Sequence, residues 1–147
     1  MDEIDRQIIE ILRGAGRTSY VALAKEVGLS SPAVHERVGK LEASGVITGY
    51  HAAVDPRAIG LDVTALVGVF TQGGHDEGIL AELRKMPEIE DCMYVAGDES
   101  YFVKIKAPDM LALEHSLLTI GDLPGVTRTR TTIALSTKWE GRAGGQV

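Results

Sequence analysis

The sequence predicts an α+β protein in two parts, and three observations predict it. Residues 19–41 form two short amphipathic segments divided by a glycine. Residues 63–138 run strand, helix, strand twice in succession. The one locally basic stretch coincides with the first of these regions: Arg13 to Lys40 holds 5 basic residues against 2 acidic ones, in a chain of net charge −6.

The elements follow in order. Asp2 is a suitable N-cap, and Glu3 and Asp5 favour the positive end of a first helix. Ile4, Ile8, Ile11 and Leu12 give that helix one apolar stripe, and Gly14 and Gly16 end it. Val21, Leu23, Ala24 and Val27 form the apolar face of a second helix. Gly28 supplies the left-handed residue of its C-cap, with Leu29 tucked beneath. Ser30 caps a third helix, Pro32 fits its first turn, and Val34, Val38 and Leu41 recur along one face. Two such helices around a glycine turn have the pattern of a helix-turn-helix, whose second helix enters the DNA major groove. Beyond Gly45, Val46-Ile47 and Gly49 to Val54 predict a short hairpin or wing. Asp55-Pro56 opens a linker.

The second part begins with Val63 to Phe70, a strand apolar on both faces and therefore covered on both. A helix from Asp76 to Met86 follows, stopped by Pro87. Ile89 to Ala96 is a strand, Gly97-Asp98 a tight turn, and Tyr101 to Lys106 a third strand. Pro108 opens a helix carrying Met110, Leu113, Leu117 and Ile120. A long strand from Val126 to Lys138 ends the series. The β-α-β-β-α-β order is the ferredoxin-like split βαβ arrangement, with both helices on one sheet face. The other face is expected to be apolar and to need a partner, most simply a second subunit. The expected domains are 1–54, DNA-binding; 55–61, a hinge; and 62–147, for dimerisation.

Composition narrows the function. An acidic chain is no general polyanion binder, so the basic stretch favours site-directed over indiscriminate DNA binding. The single Cys92 excludes an internal disulfide framework and reads as a buried, reduced thiol. The acidic start MDEIDRQ is unlike a signal n-region, and no apolar run reaches membrane-spanning length, so a cytoplasmic protein with no membrane partner is expected. Catalysis and metals find no support. His35, His51, His75 and His115 lack metal-ligand spacing. Ser100 is not in a nucleophile elbow, and Gly73-Gly74 lacks the residues of a phosphate loop.

On the third helix, the N-terminal residues Ser31, Pro32, His35 and Glu36 are candidates for base edges, with Ser30 at the cap. Arg37 and Lys40, with Arg17, Tyr20 and Lys25, are candidates for phosphate. Glu36 is equally placed for an ion pair with Lys40 one turn on.

Four segments in order, IDRQIIEIL, GRTSYVALAKEVGLSSPAVHERVGKLEASGVITGY, VAGDESYFVKI and LPGVTRTRTTIAL, closely resemble the Lrp/AsnC (leucine-responsive/asparagine regulator) family of transcription factors, over nearly the whole chain. The resemblance implies a winged helix-turn-helix joined to a RAM (regulation of amino acid metabolism) domain. It also implies dimers assembling further, often to octamers, and amino-acid effectors with no other cofactor. Alone, Gly97-Asp98 is only a good hairpin turn. With the resemblance, Gly97, Asp98, Glu99, Ser100 and Tyr101 become the effector-site candidates: free turn N–H groups suit a carboxylate, and Asp98 or Glu99 an ammonium. Thr131 and Thr132 offer hydroxyls, but adjacent strand residues face opposite ways, so only one points to the ligand. Many relatives read GDxDY here, and Ser100 replaces their second Asp, which disfavours a cationic effector.

Two other readings compete with an amino-acid-responsive regulator: a metabolite-binding module acting through protein contacts, and an architectural DNA-binding protein without effector.

Overall fold

Asp2 starts α1 (Glu3–Gly14) through a reciprocal capping box, its carboxylate accepting from Asp5 N–H while Asp5 accepts from Asp2 N–H. α2 spans Tyr20–Val27 with Ser19 as N-cap. Gly28 follows at φ 71°, and its N–H and that of Leu29 both return to the Ala24 carbonyl. That conformation is open to glycine at no steric cost, and it turns the chain sharply into α3 (Ser31–Ala43), capped by Ser30. Ile8, Leu23, Val34 and Val38 are all but fully buried between the three helices. Each such side chain contributes about 1.5–3 kcal/mol relative to leaving it in water.

The computed structural model describes residues 1–141. They fall into two compact units: 1–53, joined by the described residues from Lys138 on, and Val54–Thr137. The hairpin expected from Val46 to Val54 is not formed; this segment has no paired strand. The N–H groups of Val46 and Ile47 both bond to the Leu41 carbonyl, closing the end of α3 instead of joining a ladder. The expected linker contains one 3-10 turn, Pro56–Ile59.

In the second unit, β1 (Val63–Thr71), α4 (Glu77–Arg84), β2 (Ile89–Tyr94), β3 (Tyr101–Ala107), α5 (Met110–Gly121) and β4 (Val126–Ala134) form one sheet of order β2-β3-β1-β4. All three neighbouring pairs are antiparallel. β3 lies between β1 and β2, which is the split βαβ arrangement. The last strand stops at Ala134, four residues before the expected end at Lys138.

Alternation sorts the strands into two faces. Ala65, Val67 and Val69 of β1 join Tyr101, Val103, Ile105 and Ala107 of β3 against Ile79, Leu83, Leu113 and Ile120 of the helices. The opposite face differs from the apolar surface the sequence predicts. Leu66, Phe70 and Phe102 lie there, but the register sets Lys104, Lys106, Arg128 and Arg130 among them. Lys104 pairs with Asp91 at 2.7 Å and Lys106 with Glu90 at 3.3 Å. The apolar character of β1 does not extend to its neighbours, whose alternate residues are basic. Cys92 is likewise exposed, not buried, because β2 is an edge strand. Partial desolvation raises its thiol pKa, so it is not activated as a nucleophile.

Candidate nucleic-acid interface and effector site

α3 buries Val34, Val38 and Leu41 and leaves Pro32, His35, Glu36, Gly39 and Lys40 exposed. Ser31 is half-buried, and the Ser30 hydroxyl accepts from Ala33 N–H as a cap. His35 leans edge-on against Tyr20 of α2, with ring centroids 4.8 Å apart. This fixes the imidazole at the exposed N-terminal half of the helix. Glu36 and Lys40 form an i,i+4 ion pair of 3.0 Å, which depresses the Glu36 carboxyl pKa. Arg17 and Lys25 are exposed, with no carboxylate partner among the described residues.

Arg37, expected at phosphate, makes its contacts within the helical unit in the free chain. Its Nη1 donates to both carboxylate oxygens of Asp2, at 2.7 and 2.9 Å, and to Asp5 at 3.0 Å. The guanidinium therefore ties α3 to the start of α1. A backbone N–H from Asp5, and next the Arg37 side chain, hold the Asp2 carboxyl below its ordinary pKa. A carboxylate depressed in the fold stabilises above its unfolded pKa and loses that contribution as pH falls through the folded one. The contribution of Asp2 is thus present near neutrality and is lost in acid.

The turn between β2 and β3 sends its residues to different places. Gly97 and Asp98 are exposed, whereas Glu99 and Ser100 are buried. Glu99 folds back onto the open sheet face, ion-paired to Arg130 of β4. Its Cγ lies 2.7 Å from where a Cβ on Gly68 would stand, so only a glycine in β1 leaves room for it. The Ser100 hydroxyl shares a 2.6 Å hydrogen bond with Thr71, whose hydroxyl also lies 2.6 Å from the Gly74 carbonyl. Tyr101 turns to the helix side, where its hydroxyl accepts from Asp76 N–H at 2.8 Å and meets His75 Nδ1 at 2.9 Å.

The expected effector residues are therefore not one cluster. Glu99 and Thr132 share the open face, since Thr132 and Arg130 alternate along β4. Thr131 pairs with Val67 on the helix face. Gly68, Thr71, His75 and Arg130 escaped the sequence reading. One signal was present: a lone glycine inside the apolar run VTALVGVF marks a close approach. Nothing local distinguishes Arg130 from Arg128.

A helix-turn-helix with a basic surround, followed by a split βαβ domain, defines a two-domain transcriptional regulator. The chain matches the AsnC-type helix-turn-helix domain over residues 1–42 and the Lrp/AsnC ligand binding domain over residues 64–143. The HTH-type transcriptional regulator FL11 of Pyrococcus horikoshii is 37% identical over 95% of this chain and 93% of its own length. The regulatory protein AsnC of Escherichia coli K12 is 35% identical over 92% and 90%. The feast or famine regulatory protein of M. tuberculosis, solved in complex with L-methionine, superimposes with a TM-score of 0.88 at 37% identity, covering 96% of both chains. The chain belongs to the Lrp/AsnC family of transcriptional regulators.

Proposed function

We propose that this regulator binds specific duplex DNA through the N-terminal half of α3, that an amino acid binding near the 97–101 turn modulates it, and that it works in the cytoplasm as a dimer or larger assembly. The observation that carries the DNA reading is the exposed surface of α3, with Pro32 and His35 at its leading half, and the exposed Arg17 and Lys25, which have no carboxylate partner among the described residues. The amino-acid reading is supported by the match to a ligand-binding domain and by the methionine complex of the mycobacterial relative. Assembly is supported by the open sheet face, where Leu66 and Met93 are 47% and 57% exposed. Paired sheets would cover them and the surrounding charges together.

The test is selection of a preferred duplex from a random library, then anisotropy titrations of that duplex and a scrambled one across a salt series. Specific binding should exceed scrambled by about a thousandfold or more and shift with at least one amino acid. A ratio near one would favour the architectural reading instead. In light scattering the particle mass should be at least twice the 15.7 kDa of one chain. A stable folded monomer at micromolar concentration would refute the assembly reading.

A further inference from the structure

We propose that His35 carries a proton onto DNA: α3 binds the duplex with this imidazole as imidazolium, one N–H on a base acceptor and the other on a phosphate. This inference rests on the DNA reading above and names how that interface responds to pH.

The ring stands where α3 is open. His35 is exposed in the N-terminal half of the helix, the half that reads base edges. Ser31 and Gly39, one turn to either side on the same stripe, are both small, and nothing lies within 4 Å of a Cβ added to Gly39. The imidazole therefore overhangs its neighbours. Its edge-on contact with the Tyr20 ring, at 4.8 Å, limits the positions it takes. Among the described residues, neither ring nitrogen has a hydrogen-bond partner and no carboxylate pairs with the ring.

The charged groups around it are committed elsewhere. On α3 itself, Glu36 pairs with Lys40 at 3.0 Å, and Arg37 is held by Asp2 and Asp5 at the start of α1. From α2, the group facing the ring is the Tyr20 phenol; Lys25 and Glu26 are exposed and make no contact with it. Tyr50, which acts on Tyr20 from the segment after α3, donates to Glu42 at 3.3 Å. No carboxylate in contact with the ring holds a proton on it before DNA arrives.

DNA changes that balance. A neutral imidazole donates from one nitrogen, whereas an imidazolium donates from both. The two N–H directions point apart across the ring. One can meet a major-groove acceptor, such as N7 or O6 of guanine, while the other meets a phosphate oxygen. Only the protonated ring makes both contacts. Phosphate charge close by favours the cation as well. Binding therefore takes up a proton, and linkage fixes the sign: affinity rises as pH falls, and the gain is lost as pH rises. Since Glu36 and Lys40 cancel and Arg37 is engaged, His35 is the group on this face whose charge responds near neutrality.

The experiment is anisotropy titration of the full chain on its selected duplex, from about pH 5.5 to 8, where histidine titrates, across a salt series at each pH. The Asp2 carboxyl, held below the ordinary carboxylate range, stays ionised throughout. Wild type is compared with His35→Gln, His35→Lys and, as a control at another exposed histidine of the helical unit, His51→Gln. Circular dichroism and light scattering at both ends of the range check that fold and assembly are unchanged. Wild-type affinity should rise with falling pH by up to about tenfold per pH unit for each α3 engaged. Its slope of log K against log salt should steepen by about 0.9 for each proton taken up. His35→Gln, neutral at every pH, should lose both effects. His35→Lys, charged at every pH, should keep the steeper slope throughout and lose the pH dependence. His51→Gln should follow wild type. If wild-type affinity is flat across the range, or if its pH dependence survives in His35→Gln, the proposal is overturned while the DNA reading stands. If no duplex is preferred over scrambled sequence at any pH, that reading fails and this one with it.

Discussion

In the helical unit, the Arg37 guanidinium is gripped by two carboxylates of another helix, with 30% of its side chain exposed. In the sheet unit, Arg130 meets one carboxylate and keeps 60% of its side chain in solvent. Burial is reversed as well. Asp2 is the exposed member of the first pair, whereas Glu99 is the buried member of the second. Each guanidinium meets its carboxylates through one terminal nitrogen, Nη1 of Arg37 and Nη2 of Arg130, but the first joins two helices and the second joins a turn to a strand. What separates the two arginines is therefore the number of their carboxylate partners and how far each pair is exposed.

The largest effect expected from this contrast concerns what lies beneath Glu99. A methyl group at Gly68 would meet Glu99 Cγ at 2.7 Å, near the base of the side chain, so the carboxylate cannot simply swing aside. Gly68→Ala should destabilise the sheet unit by about 1–3 kcal/mol, as other overpacked sites do, and expel Glu99 from Arg130. Gly39, on the exposed face of α3, is the control: nothing lies within 4 Å of its added Cβ. Gly39→Ala should stabilise the helical unit by about 1 kcal/mol through helix propensity. Chemical denaturation of both variants measures the two shifts. Equal and small effects would mean that Glu99 is not locked over Gly68.

The same contrast explains what could be read in the sequence. Helix caps and stops are written locally: Asp2, Gly28 and Ser30 each act within three or four residues, and the structure uses all of them. Strand order follows from a repeated βαβ unit. The failures are non-local. Val46 to Val54 has strand-like residues, but their first N–H groups are already taken by the end of α3. The open sheet face reads as apolar from β1 alone and turns basic once β3 and β4 are set beside it. Arg37 and Asp2 are 35 residues apart, and Glu99 and Arg130 31 apart. No periodicity links such positions, so recognition-helix logic sends Arg37 to phosphate and leaves Arg130 unmarked.

The smaller effect sharpens the helical half of the comparison. If Arg37 were a phosphate contact, its removal would lower the slope of log K against log salt by about 0.9 for the one counterion no longer released. As a clasp on Asp2 and Asp5, it should leave that slope unchanged while weakening binding of all sequences, because α3 is less firmly placed. Lys25→Ala is the comparison variant, since Lys25 is exposed and has no carboxylate partner among the described residues; it should lower the slope by about 0.9. Thermal melting of Arg37→Ala, Asp5→Asn and the double variant supplies an independent readout. The double variant should lose less than the sum of the two single losses, since either substitution already breaks the Arg37–Asp5 contact. A reduced salt slope in Arg37→Ala, together with additive melting losses, would return Arg37 to the DNA-facing surface and erase its difference from Arg130.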